Sequence, residues 1–185
     1  MIFTETSLAG AFIVDVERLE DERGFFSRTF CSDEFEGRGL ESSFVQCNVS
    51  FNRFRGTIRG LHFQSAPHEE TKLVRCSMGA IWDVIVDIRE ASGTFAHWFA
   101  VELSAENRRA VYVPGGFAHG FQTLTDDVEV MYQMSTKYAP HSAGGIRFDD
   151  PQLAVRWPLP PQRLSDRDLV LPMLRELDVI GFPRA

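Results

Sequence analysis

The chain has 185 residues, a net charge of −7, a pI near 5.2, and 44% hydrophobic against 24% charged residues. That is globular composition on a chain long enough to bury a full core, which excludes the disordered and fibrous classes. The acidic balance argues against a nucleic-acid footprint, which needs clustered Lys and Arg, so no nucleic-acid partner is expected.

No apolar run approaches the roughly 18 residues of a membrane helix. The start Met1-Ile2-Phe3-Thr4-Glu5 lacks the basic-then-apolar layout of a secretion signal, so no membrane partner and a cytoplasmic location are expected. Cys31, Cys47 and Cys76 are odd in number and form no CxxC pair; each reads as a small core or half-buried residue.

In chain order, residues 10–19 mix β-branched and polar residues as a strand does, and Asp21-Glu22-Arg23-Gly24 closes it with a turn. Residues 25–30 read as a second strand. Ser32 then reads as the N-cap of a short helix that Gly37 and Gly39 end. Strand character returns at residues 44–50. From there short β-rich runs recur at 57–64, 71–76, 81–88, 98–103, 110–113, 119–125 and 128–135, with turn clusters such as Pro114-Gly115-Gly116 and Asp126-Asp127 between them. Many short strands without intervening helical periods predict an antiparallel sandwich or barrel, here a double-sheet roll. After Pro140, residues 153–157 read as one more strand and residues 165–177 as a short polar helix. No linker, repeat or low-complexity tract divides the chain, so residues 1–185 are expected to form a single domain whose segment 140–185 folds back on the roll.

The stretch Arg59-Gly60-Leu61-His62-Phe63-Gln64 sets a guanidinium and an imidazole in otherwise strand-like apolar sequence. Burying both is unfavourable unless they are hydrogen-bonded or meet a ligand. Strand parity places Val128, Val130, Tyr132 and Met134 on one face, which puts a tyrosine among core residues. Parity also puts Arg59 and His62 on opposite faces; either Gly60 introduces a bulge or Arg59 reaches round from the rim.

These pieces, with Asp21-Glu22-Arg23-Gly24-Phe25-Phe26, Gln46-x-Asn48-x-Ser50, Lys72-Leu73-Val74, Asp83-Val84-Ile85-Val86-Asp87, Pro114 to Phe121, Tyr138, Asp149-Asp150-Pro151 and Leu164-Ser165-x-x-Asp168, resemble the deoxysugar epimerases typified by dTDP-4-dehydrorhamnose 3,5-epimerase. The resemblance runs in order from about residue 10 to 172. It implies an all-β, cupin-like jelly roll with a few short peripheral helices, a homodimer that exchanges strands, and inversion of carbons beside the ketone of a nucleotide sugar without a cofactor. The apolar Phe12-Ile13-Val14 suits such an exchange.

Inverting a carbon next to a carbonyl needs one group to remove a proton, a second on the opposite face to return it, and a cation or donor on the enolate oxygen. His62, Tyr132 and Lys72 are the right three types. By resemblance Asp168 orients His62, His119 and Tyr138 belong to the sugar pocket, and Arg23, Phe26, Gln46, Asn48 and Arg59 hold the nucleotide diphosphate, with Phe26 stacked on the base. His119 also follows a segment like the second cupin motif, where histidine often binds metal. The His-x-His pair and glutamate of the first motif are missing, so no metal is expected.

Arg28, Ala143 and a glycine of Gly115-Gly116 stand where the family commonly has acidic residues, which leaves open the nucleotide and the number of carbons inverted. A sugar-nucleotide-binding cupin without catalysis is the alternative from another class.

Overall fold

The computed structural model describes residues 1–177, and among them the chain is an antiparallel roll with two short helices. The strands are β1 (Ile2–Glu5), β2 (Phe12–Asp15), β3 (Leu19–Asp21), β4 (Gly24–Phe26), β5 (Gln46–Asn52), β6 (Ile58–Gln64), β7 (Lys72–Met78), β8 (Ala80–Asp87), β9 (Trp98–Ser104), β10 (Ala110–Val113), β11 (Phe117–Thr123), β12 (Val128–Met134) and β13 (Ala143–Gly145), with helices α1 (Ser32–Glu36) and α2 (Asp166–Leu169). One sheet has the order β1-β2-β10-β7-β12-β5 and the other β13-β6-β11-β8-β9, while β3 and β4 form a separate hairpin. This is the expected all-β roll.

Alternation along β8 explains how the layers close. Ile81 and Ile85 point between the two sheets, where they meet Val74, Val111, Val128 and Val130 of the six-stranded sheet and Phe121 of β11. Val84, Val86 and Ile88 point the other way and pack under Ile146, Leu153, Leu174 and Leu177 of the C-terminal segment. The five-stranded sheet is therefore buried on both faces. Each fully buried aliphatic side chain contributes about 1.5–3 kcal/mol by leaving water. The six-stranded sheet is treated unevenly. Over its β2, β10 and β7 strands, α1 lays Phe35 into an aromatic cluster with Phe3, Phe30, Phe44 and Tyr112. Over β12 and β5 no described residue covers Val49, Phe51 and Met131, which are exposed.

Several local expectations change. The strand expected over 10–19 divides into β2 and β3, and the one over 25–30 stops at Phe26. Cys31, with no side-chain hydrogen bond, occupies the N-cap of α1, and Ser32 lies inside the helix. Residues 153–157 form no strand, because Ala154 takes a positive φ of 47°. The helix expected over 165–177 breaks after Leu169 and resumes only as a 3-10 turn at Leu174–Glu176; Pro172 disfavours helical backbone before it and has no N–H to give. Residues 178–185 of the expected domain lie outside the described residues. The Phe12-Ile13-Val14 stretch forms β2, bonded on one side to β1 and on the other to β10.

Candidate active site

The polar cluster on β6 is made possible by its glycine. His119 pairs with His62 and Phe121 with Arg59, so β6 takes three steps (59 to 62) where β11 takes two (119 to 121). This bulge turns Arg59 and His62 to the same side, and both line one cavity of about 240 Å³. Only glycine suits position 60: its φ is +121°, and an added Cβ would lie 2.6 Å from the Gly120 Cα and 2.8 Å from the His119 carbonyl oxygen.

His62 projects from β6 between the sheets with its side chain 39% exposed, and its Nε2 is 2.7 Å from Oδ1 of Asp168. Asp168 is supplied by α2, where the Ser165 hydroxyl caps the helix by accepting the Asp168 N–H at 3.1 Å. Burial pushes the Asp168 carboxyl up, but the hydrogen bond and charge of His62, the Gly60 N–H and the Ser165 hydroxyl outweigh it and hold the group below the ordinary carboxylate value. As a carboxylate it accepts from Nε2–H, which leaves the His62 Nδ1 lone pair as the basic position.

Tyr132 comes from the facing sheet, on the inner face of β12 with Val130 and Met134. Burial, assisted by the negative charge of Glu70, raises its pKa above 10.0, while Arg59 and a hydrogen bond with Asn48 act the other way. Lys72 is on the neighbouring β7 and buried; its Nζ pairs with Glu70 at 2.9 Å and donates to the His62 main-chain oxygen at 3.4 Å. His119 lines the same cavity from β11, with Nε2 2.8 Å from Oδ2 of buried Asp83. Each of the two histidines thus has its own carboxylate, and among the described residues no group of three or more His, Cys, Asp or Glu is placed to hold a metal ion.

Of the residues singled out in the sequence, the fold brings Arg59, His62, Lys72, His119, Tyr132 and Tyr138 to one cavity, with Asp168 directly behind His62. Gln46 and Asn48 continue the inner face of β5 beside it, and the Gln46 Oε1 accepts the Tyr138 N–H at 3.3 Å. Arg23 and Phe26 stand apart on the β3–β4 hairpin. Arg23 is paired with Asp21, its side chain is 84% exposed, and Phe26 lines a separate depression with Leu19, Arg28 and Glu34. Ala143 lies in the main cavity wall.

Four residues were given no role by the sequence reading, though Gln64 and Asp83 lie in stretches that carry the resemblance. Arg167 lines the cavity from α2, Glu70 pairs with Lys72, Asp83 holds His119, and buried Gln64 carries the rim. The Gln64 amide accepts the Ala139 N–H at 2.6 Å and donates to the His68 oxygen at 2.9 Å, tying two loops together. Arg167 is next to Asp168 and Glu70 is two residues before Lys72, which was the only sequence signal for those two. Arg59 and Arg167 have no carboxylate partner among the described residues, so the cavity has cationic capacity left for an anionic ligand.

The family described as dTDP-4-dehydrorhamnose 3,5-epimerase matches residues 5–176. The chain is 47% identical to the enzyme of that name from Methanothermobacter thermautotrophicus over 157 residues, 85% of this chain and 84% of the relative. A solved structure of dTDP-6-deoxy-D-glucose-3,5-epimerase from Legionella pneumophila, in complex with dTDP-4-keto-L-rhamnose, superposes with a TM-score of 0.92 at 38% identity, covering 100% of this chain and 98% of that one. A 3'-monoepimerase from Streptomyces bikiniensis in complex with dTDP-quinovose gives 0.88 at 34% identity, covering 96% and 90%. With the profile match spanning nearly all its described residues, the chain belongs to the dTDP-4-dehydrorhamnose 3,5-epimerase family.

Proposed function

We propose that this protein is an isomerase that inverts C3 and C5 of dTDP-4-dehydro-6-deoxyglucose through an enolate, in deoxysugar biosynthesis. The observation that carries the reading is the His62–Asp168 pair facing, in one cavity, a tyrosine from the opposite sheet and a buried lysine. Nδ1 of His62 takes the proton from the carbon beside the ketone, and Asp168 holds the imidazolium that forms. The Lys72 ammonium stabilises the enolate oxygen in a site of low dielectric. The Tyr132 hydroxyl, kept protonated by burial, returns a proton from the other face. Proton removed and proton returned balance, so the reaction draws on no cofactor. Arg59 and Arg167 serve the diphosphate, and His119 and Tyr138 the sugar.

The chain acts as a homodimer on this reading, in the cytoplasm. Support for a second copy comes from β5, which reverses the usual pattern: Gln46, Asn48 and Ser50 face inward, while Cys47, Val49 and Phe51 face outward and are exposed. Met131 of β12 lies directly opposite Val49 and adds to the apolar strip of β5, which Glu129 and Gln133 flank. A partner also gives the exposed Arg23 and Phe26 a ligand to meet. Sedimentation at micromolar concentration is expected to give a dimer, and a monomer would remove this part of the reading.

The activity is tested with the purified protein and dTDP-4-dehydro-6-deoxyglucose in deuterium oxide, followed by proton NMR. Deuterium at C3 and C5 with a rhamno-configured product is expected. Exchange at one carbon alone makes the protein a mono-epimerase, and exchange at neither overturns the reading. Competition of the substrate by dTDP against UDP measures what Arg28 and Ala143 do to base recognition.

A further inference from the structure

Glu70 is the one carboxylate among the described residues that line the cavity, and its position is fixed on three sides. The Thr71 N–H donates to Ser135 Oγ at 2.9 Å, the Ser135 N–H to the Thr71 oxygen at 3.0 Å, and Thr136 Oγ1 to the Glu69 oxygen at 2.8 Å. These bonds pin the backbone on both sides of Glu70 to the end of β12. Glu70 and Lys72, two residues apart in extended chain, project to the same side. Their ion pair is 2.9 Å long with the side chains only 10% and 7% exposed.

An ammonium withdrawn from water in this way is stable only against a counter-charge. The other contact of the Lys72 ammonium, a 3.4 Å bond to the His62 carbonyl oxygen, is too long to serve alone. We propose that Glu70 is a positioning residue of the reaction, whose carboxylate holds the Lys72 ammonium at the place of the enolate oxygen. The inference rests on the roles given above to Lys72 and Tyr132.

A negative charge here also opposes the enolate. It is tolerated because the enolate lies beside the ammonium, while Glu70 sits beyond it. For Tyr132 the same charge is an advantage. Burial raises its pKa most, Glu70 raises it further, and Arg59 from β6 and Asn48 from β5 lower it. The remaining titratable groups on the cavity wall are His62, His119, Tyr138 and Arg167.

The test is Glu70→Gln, which keeps the side-chain length and removes the charge, with kcat, KM and the pH profile read by deuterium exchange. We expect kcat to fall about ten- to a hundredfold with KM within about threefold, as for a misplaced catalytic group. We also expect the alkaline limb of kcat to move down by roughly half a pH unit or more, since removal of a nearby negative charge favours tyrosinate. Glu70→Asp keeps the charge on a shorter stem; its alkaline limb stays where the parent has it while kcat still falls. A Glu70→Gln protein with the parent's thermal midpoint, kcat and alkaline limb overturns the inference. Should Glu70→Gln not fold, a Glu70→Asp variant with the parent's kcat overturns it equally. Absence of exchange in the unaltered protein would remove the epimerase reading and this inference with it, whereas exchange in the parent and an unchanged Glu70→Gln removes the inference alone.

Discussion

Two histidines meet across the β6–β11 ladder, His62 and His119, and each gives its Nε2 to a buried aspartate, at 2.7 Å and 2.8 Å. The likeness ends there. The His62 side chain is 39% exposed toward the cavity and that of His119 only 9%. Asp168 has the Gly60 N–H and the Ser165 hydroxyl as well as the imidazole, and its carboxyl is held below the ordinary value. Asp83 has one oxygen on His119, and its other, Oδ1, is buried with no hydrogen-bond partner among the described residues. A carboxylate with several donors keeps its charge whichever form the imidazole takes, so its histidine is free to gain and lose a proton. A carboxylate with one donor depends on that donor and locks it. The first pair suits proton transfer, and the second suits a ring nitrogen held still against the sugar.

Substitutions on the His62 side are expected to have the largest effects. His62→Asn removes the base, and deuterium exchange should fall about 10³- to 10⁴-fold, with dTDP binding by calorimetry unchanged, since Arg59 and Arg167 remain. The comparison breaks if His119→Asn costs as much exchange as His62→Asn. Asp168→Asn keeps the ring in place but replaces the charge that stabilises the imidazolium, and a loss of about 10²- to 10³-fold in kcat is expected, smaller than for the base itself. Equal kcat for Asp168→Asn and the parent would remove Asp168 from the mechanism.

A third buried aspartate sharpens the same contrast from the side of stability. Asp87, four residues beyond Asp83 on β8, is fully buried, yet accepts from the Arg89 guanidinium at 2.9 Å and 2.7 Å and from the hydroxyls of Ser92 and Thr94. Burial alone would raise its pKa; the Arg89, Ser92 and Thr94 bonds together bring it down to about 2 from 3.8. A depressed folded value means stability present above the unfolded value and lost as pH falls through the folded one. The contribution is about 2 kcal/mol at neutral pH and disappears between about pH 4 and 2. Asp87→Asn should therefore lower the urea midpoint at pH 7, and the gap to the parent should narrow as the pH approaches 2. A gap independent of pH would show that packing, not charge, is what Asp87 contributes.

Much of this site was legible before the fold was known, and the reason is local. The strands from β6 to β12 carry β-branched residues in runs that can only be sheet, so the elements that hold His62, Lys72, His119 and Tyr132 lie where the alternation puts them. The conflict between Arg59 and His62 left either a bulge at Gly60 or a reach round the rim, and the register of β6 on β11 decides for the bulge. What could not be read were contacts set by chain return: Asp168 reaches His62 across 106 residues, and only the family pattern joined them. Likewise β13 is Ala143-Gly144-Gly145, a sequence with no strand propensity, extended because β6 offers its edge. Its Gly145 lies where a Cβ would meet the Leu61 oxygen at 2.7 Å. Glu70 drew no reading from the sequence, since nothing near it in sequence reveals that the backbone around it is tied to Ser135 and Thr136.

The smallest expected effect is at Asp83, and it tests the comparison most sharply. Asp83→Asn keeps an oxygen that accepts from His119 Nε2–H, so the ring and its tautomer stay as they are. It also replaces a buried carboxylate, one of whose oxygens is unpaired, by a neutral amide that is less costly to bury. If His119 is only held in place, kcat should fall no more than about tenfold, the equivalent of one pKa unit or about 1.4 kcal/mol, and the thermal midpoint should stay level or rise. Asp168→Asn makes the same change of atoms at the other histidine, with an expected loss at least ten times larger. Kinetics of the two asparagine variants side by side separate charge used for proton transfer from charge used to hold a ring. Equal losses would mean that both histidines change charge during the reaction, and His119 would then join His62 as an acid or base.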